Sequence, residues 1–181
     1  MTSPADILQF WYSEPMNKHW FKSTSDIDAL MRSRYEELWS RAAQGELDSW
    51  KESAEGCLAL ILLFDQFPLN MFRGEAKSFS TEALSIDISL YGIEQLFDQH
   101  LPQSQLSFFY MPLMHSELME HQDLSVKMFE QAGLESNLRF AKHHRNIIEQ
   151  FGRFPHRNSI LQRQSTQAES DYLSSDNAFK G

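Results

Sequence analysis

Three short polar segments interrupt an otherwise apolar chain, and each carries side chains able to bind or move charge. The first, Asp65 to Gly74, reads Asp-Gln-Phe-Pro-Leu-Asn-Met-Phe-Arg-Gly and contributes Asp65, Gln66, Asn70 and Arg73. It follows the apolar run Cys57 to Phe64, so its carboxylate and amides start where water is scarce and need partners. The second, Tyr110 to Glu117, contributes His115, Ser116 and Glu117. Pro112 frees backbone groups there, and His115 and Ser116 adjoin an expected helix start, where outward amides attract anions. The third, Phe151 to Asn158 with its continuation to Thr166, contributes Arg153, His156, Arg157, Asn158 and Arg163. Guanidinium forks suit a carboxylate or a phosphate. His144 belongs to the same basic stretch, in which six Lys or Arg stand against one acid between Arg139 and Arg163.

These residues admit three kinds of function. The leading expectation is a binding module that holds an anionic small molecule or an acidic peptide at an Arg/His-rich site gathered from all three segments. The second is an enzyme, with His115, His144 or His156 as acid or base near Asp65 or Glu117 and arginines stabilising negative charge. The third is a structural protein in which the arginines neutralise Asp65, Glu117 and helix ends, so that the polar motifs lock loops. Glu117 and His121 share helical spacing, but the His-Glu-x-x-His pattern is missing and no third ligand is evident, so no metal is expected and no cofactor either. Ser116 beside His115 is a weak nucleophile arrangement, since adjacent residues seldom face each other; a capping serine is the ordinary alternative.

The elements that must position these groups are helices. Ser3-Pro4-Ala5-Asp6 has a cap, a first-turn proline and a first-turn acid. Ser25 is expected to cap a second helix, in which Ile27, Leu30, Met31, Tyr35, Leu38, Trp39 and Ala42 recur at steps of three and four, and Gly45 stops it. A third helix over about Ala54 to Gln66 is apolar all round, hence central, with Pro68 closing it. A fourth is expected over about Ala76 to Phe97, a fifth from Pro102 until Pro112 interrupts it, and a sixth capped by Ser116 with Leu118, Ser125, Met128 and Phe129 facing inward. The seventh runs from about Ser136 to Phe151, and Thr166-Gln-Ala-Glu169 is a capping box for a short last helix. No strand-type alternation of any length interrupts the pattern.

The 181 residues fit one domain of the usual ~100–200. The expectation is an all-α single domain over 1–173, an antiparallel helix stack or bundle of about eight helices, with a frayed tail over 174–181. Net charge is −9, which argues against nucleic-acid and anionic-membrane partners. The single cysteine, Cys57, has no internal disulfide partner and lies in an apolar run. No apolar stretch approaches the ~20 residues of a membrane span, and the start has no signal-peptide pattern, so a cytoplasmic location is expected. The oligomeric state is not legible.

The three segments resemble the signatures of a bacterial domain-of-unknown-function family, number nine-two-four. Its members carry Asp-Gln-Phe-Pro-Arg-Asn-x-Phe-Arg-Gly, Tyr-Met-Pro-x-Met-His-Ser-Glu and Phe-Gly-Arg-Phe-Pro-His-Arg-Asn, the last followed by Leu-Gly-Arg-x-Ser-Thr. Phe10-Trp11, Trp20-Phe21 and the Gly45 to Trp50 segment also resemble the family, so the likeness spans Ile7 to about Leu173. It implies a TPR-like, superhelical all-helical fold and no particular activity. Leu69 stands where the family usually has Arg, and Gln162 where it usually has Gly.

Overall fold

A computed structural model describes residues 2–176, 178 and 179; part of the frayed segment expected over 174–181 lies outside the described residues. The chain is all-helical, 72% helix, without a strand among the described residues. Among the described residues ten α-helical segments follow one another: α1 Pro4–Trp11, α2 Glu14–Asn17, α3 Ser25–Ala43, α4 Ala54–Ile61, α5 Phe67–Met71, α6 Glu82–Glu94, α7 Gln103–His115, α8 Met119–Gln131, α9 Glu135–Phe151 and α10 Gln167–Leu173. The additions to the expected set are the short α2 and α5. The chain clusters into two compact units, one up to Pro112 and one from Leu113 onward.

In the first unit, α4 is the hydrophobic centre. Cys57 to Leu63 are at most 1% exposed, and α1 and α6 pack against α4. Gly56 lets the start of α4 pass close to the chain before it: a Cβ there would collide with the Trp50 carbonyl. The helix does not end at Pro68. It widens into a π turn at Leu62–Gln66 and continues as α5, with Pro68 in the first turn, where a missing N–H leaves no bond unmade. Around α5, Trp11, Tyr35 and Phe67 form an aromatic cluster, with centroids 5.5 Å apart for Trp11–Phe67 and 4.9 Å for Tyr35–Phe67. Burial holds the Cys57 thiol up at about 11, so it is protonated and unreactive at neutral pH.

The second unit is organised by a hairpin of α8 and α9, turned at Gly133 with φ 66°. Leu138, Ala141, His144, Ile147 and Ile148 line the buried face of α9 at steps of three and one. Gly152, at φ 69°, ends α9, and Phe154, fully buried, packs on Ile147 and Ile148. The capping box Thr166/Glu169 opens α10 as expected.

Several local expectations are corrected. Thr24, not Ser25, caps α3, its hydroxyl accepting the Ile27 amide. The expected Ala76–Phe97 helix is a 3-10 turn at Ala76–Phe79, then α6, then a second 3-10 turn at Phe97–His100. Pro112 lies inside α7, which runs on to His115. Leu118 is 54% exposed instead of facing inward.

Candidate functional site

The polar residues of the first unit form one chain of bonds across the π turn and α5. Gln66 Nε2 donates to the Asp65 carboxylate, Asn70 Nδ2 donates to the Gln66 carbonyl at 2.9 Å, and Arg73 donates to Asn70 Oδ1 at 3.1 Å. Arg73 also grips Asp28 with two donors, at 2.7 and 3.2 Å. Asp65, Gln66 and Asn70 are buried, at 4–5% exposed. The Arg73 fork, the one cation of this group, is therefore already on a carboxylate supplied by α3.

In the second unit the turn between α7 and α8 meets the loop between α9 and α10. Glu117 accepts Arg163 through both oxygens, at 2.7 and 2.9 Å, and also accepts the Phe154 amide at 2.8 Å. Arg163 also donates to Asn158 Oδ1 at 3.0 Å and to the Phe154 carbonyl at 3.1 Å. Asn158 in turn donates to Ser165 at 3.1 Å. Burial pushes the Glu117 carboxyl up, but the Arg163 fork and the Phe154 amide outweigh it and hold it below the usual carboxylate range. A second fork lies beside the first. Arg153 holds both oxygens of Glu169, at 2.6 and 2.8 Å, and the Gln164 carbonyl at 2.8 Å. That fork, with the Thr166 amide, holds the 2% exposed Glu169 down at about 2. Arg157 is 6% exposed, donates to the His115 carbonyl at 2.8 Å and stacks on the Phe154 ring at 4.7 Å.

Ser116 does not cap α8. Its hydroxyl accepts the Leu118 amide at 3.2 Å and shares a 2.8 Å hydrogen bond with His121 Nδ1. A serine on an imidazole is the arrangement of an activated nucleophile, but Ser116 is 2% exposed, and no substrate carbonyl can approach it without movement of the turn. Gln122, fully buried, closes the same turn by donating to the carbonyls of Met114 and Ser116 at 2.8 and 2.7 Å. These are carbonyls left open at the end of α7.

His144 and His156 are not cations at neutral pH. Burial, then the neighbouring His115, lowers His144 to about 3; burial, then Arg157, lowers His156 to about 4. The Nδ1–H of His144 donates to the Phe140 carbonyl at 2.8 Å, which leaves Nε2 as the acceptor. His156, with Pro155, Ser159, Ser165 and Leu173, lines a cavity of about 300 Å³. No cluster of three or more His, Cys, Asp or Glu with the geometry of a metal site occurs among the described residues.

Of the residues the sequence singled out, His115, Ser116, Glu117, His144, Arg153, His156, Arg157, Asn158 and Arg163 lie in the second unit. Asp65, Gln66, Asn70 and Arg73 are gathered in the first. Sequence reasoning weighed His121 only as a metal ligand beside Glu117 and missed its bond to Ser116, and it missed Gln122, whose spacing from Ser116 carries no signal. It read Glu169 only as a cap, although a capping Glu has a second oxygen free for an arginine.

The family model described as "Bacterial protein of unknown function (DUF924)" matches residues 7–177. A solved structure of a protein of unknown function from Agrobacterium tumefaciens superposes with a TM-score of 0.89 at 38% identity, covering 94% of this chain and 96% of that one. No curated protein matches.

Proposed function

The chain belongs to the bacterial DUF924 family, described without an activity, and we propose that its polar motifs form an ionic clasp fixing the shape of a non-catalytic helical binding module. The observation that carries this reading is that the forks best suited to a free anion, Arg153 and Arg163, are filled by Glu169 and Glu117 of the chain itself. A phosphate or acidic peptide would have to displace a bidentate carboxylate that also accepts backbone amides. The neutral His144 and His156 add no positive charge at pH 7. Calorimetric titration of phosphate and citrate into the wild type, Arg157→Ala and Leu69→Arg tests the reading, with thermal unfolding of Arg163→Met alongside. Absent heat with a lowered unfolding temperature for Arg163→Met is the expected result. Heat in the wild type that Arg163→Met abolishes at unchanged stability would overturn it in favour of an anion site.

A second reading attaches to the cavity lined by His156, Ser159 and Ser165. Its polar groups are a neutral imidazole and two hydroxyls, so it suits a neutral hydrogen-bonding ligand better than an anion.

A further inference from the structure

Beyond α10, the ring of Phe179 returns to the second unit and is met by three imidazoles. Centroid distances are 4.5 Å to His144, 5.0 Å to His156 and 6.2 Å to His143, all edge-on or steeply tilted. His144 and His156 each also touch the Phe154 ring, at 5.4 and 5.6 Å. The Phe179 amide donates to the Tyr172 hydroxyl at 2.9 Å, and the ring packs on the Ile147, Ile148 and Phe154 cluster.

We infer that His144, His156 and Phe154 form a subsite for an aromatic ring, that the chain fills it with its own Phe179, and that acid empties it. The walls are apolar or uncharged faces set edge to face with the ring, the arrangement aromatic rings prefer. A neutral phenyl or indole fits such walls, and a carboxylate or ammonium does not. The subsite shares Phe154 with the arginine clasp and His156 with the neighbouring cavity, but its own definition is the ring contacts and one amide bond.

Acid sensitivity follows from what surrounds the imidazoles. His115 faces them from α7, His143 from α9, and Arg157 and Arg163 from the loop between α9 and α10; Tyr172 of α10 faces Phe179. The acid facing His156 is Glu117, whose oxygens are engaged by Arg163 and Phe154. A proton arriving on His144 or His156 therefore meets like charges and little water. Burial and these neighbours hold the two groups at about 3 and about 4 while the ring is in place. Withdrawal of Phe179 relieves part of that burial, so the released form binds protons more readily. Closure therefore weakens as pH falls toward 4.

The test uses the full chain, Phe179→Ala and Phe179→Leu, with histidine ring protons followed by NMR from pH 8 to pH 3 and phenol as the probe ring. In Phe179→Ala, His144 and His156 should titrate at least about one unit higher than in the wild type. Phenol at pH 7 should shift their resonances in that variant and not in the wild type. In the wild type, the Phe179 amide should lose exchange protection as pH falls toward 4 beyond the intrinsic pH effect. Unchanged histidine titration in Phe179→Ala, an equal phenol response in both proteins, or constant Phe179 protection would each overturn the inference. If Phe179→Ala loses its helical circular dichroism, Phe179→Leu is read by the same criteria.

Discussion

Replacing Glu117 by Gln removes a charge and keeps the shape, which makes it the sharpest probe of the clasp. Glu117 accepts three hydrogen bonds, at 2.7, 2.8 and 2.9 Å, two of them from one guanidinium. An amide keeps one acceptor oxygen and turns an NH2 toward Arg163, whose side chain is 23% exposed. At least one charge-assisted bond is lost, about 1.5–3 kcal/mol, and a largely buried cation is left without its counter-charge. The expected loss is about 2–3 kcal/mol, or about 4–10 °C in unfolding temperature for a domain of this size. The Glu117 carboxyl is lowered in the folded state, so the stabilisation is present above its ordinary value of 4.5 and disappears as pH falls through the folded value. The difference between wild type and Glu117→Gln, measured by urea unfolding, should therefore be full at pH 7 and shrink below about pH 4.5. Combined with Arg163→Met, the two changes should couple by about 2 kcal/mol. An unfolding temperature within ~1 °C of wild type, or a loss that does not vary with pH, would refute the reasoning.

Other outcomes follow from the same geometry. Glu169→Gln should lower stability by about 1–2 kcal/mol at pH 7, after discount for solvent around Arg153, and the difference should fade from pH 4.5 toward pH 2. Gln162 has φ 54°, a left-handed conformation, so Gln162→Gly should raise stability by about 1 kcal/mol in the same unfolding assay. Gly92→Ala places a Cβ 2.5 Å from Phe109 Cζ and should lower stability by about 1–3 kcal/mol in thermal melts. Ser116, 2% exposed, should resist labelling by a fluorophosphonate at pH 7, as mass spectrometry of the intact protein would read.

What the sequence disclosed, it disclosed through periodicity and local chemistry. The start of α4, the end of α9, the Ser3 cap and the Thr166–Glu169 capping box were legible because spacing, glycine and capping side chains act within a few residues. Pro68 and Pro112 misled for a shared reason: a proline's effect depends on whether its missing N–H falls where the ladder needs one. At Pro68 the π turn removes that need. The three polar segments announced that charges would be paired, but not with whom. Arg163 and Glu117 are 46 positions apart, and only the meeting of two loops makes them partners. The neutrality of His144 and His156 was equally invisible, because it arises from burial and not from residue type. Gln162 is the converse case: its place at a family glycine becomes intelligible once its positive φ is known.

A π turn holds more residues than an α turn of the same rise, so the stretch from Leu62 to Gln66 stores one residue of slack in the chain. Deleting one residue there would let the ladder close as ordinary α-helix with no hydrogen bond lost. The helix beyond would keep its phase, because five residues of π turn and four of α-helix advance by nearly the same angle and rise. Arg73 would still face Asp28, and Asn70 the Gln66 carbonyl. Length variation is therefore absorbed at this point, whereas the same deletion in α6 or α9 would rotate everything beyond by about 100° and turn a buried apolar face away from its partners.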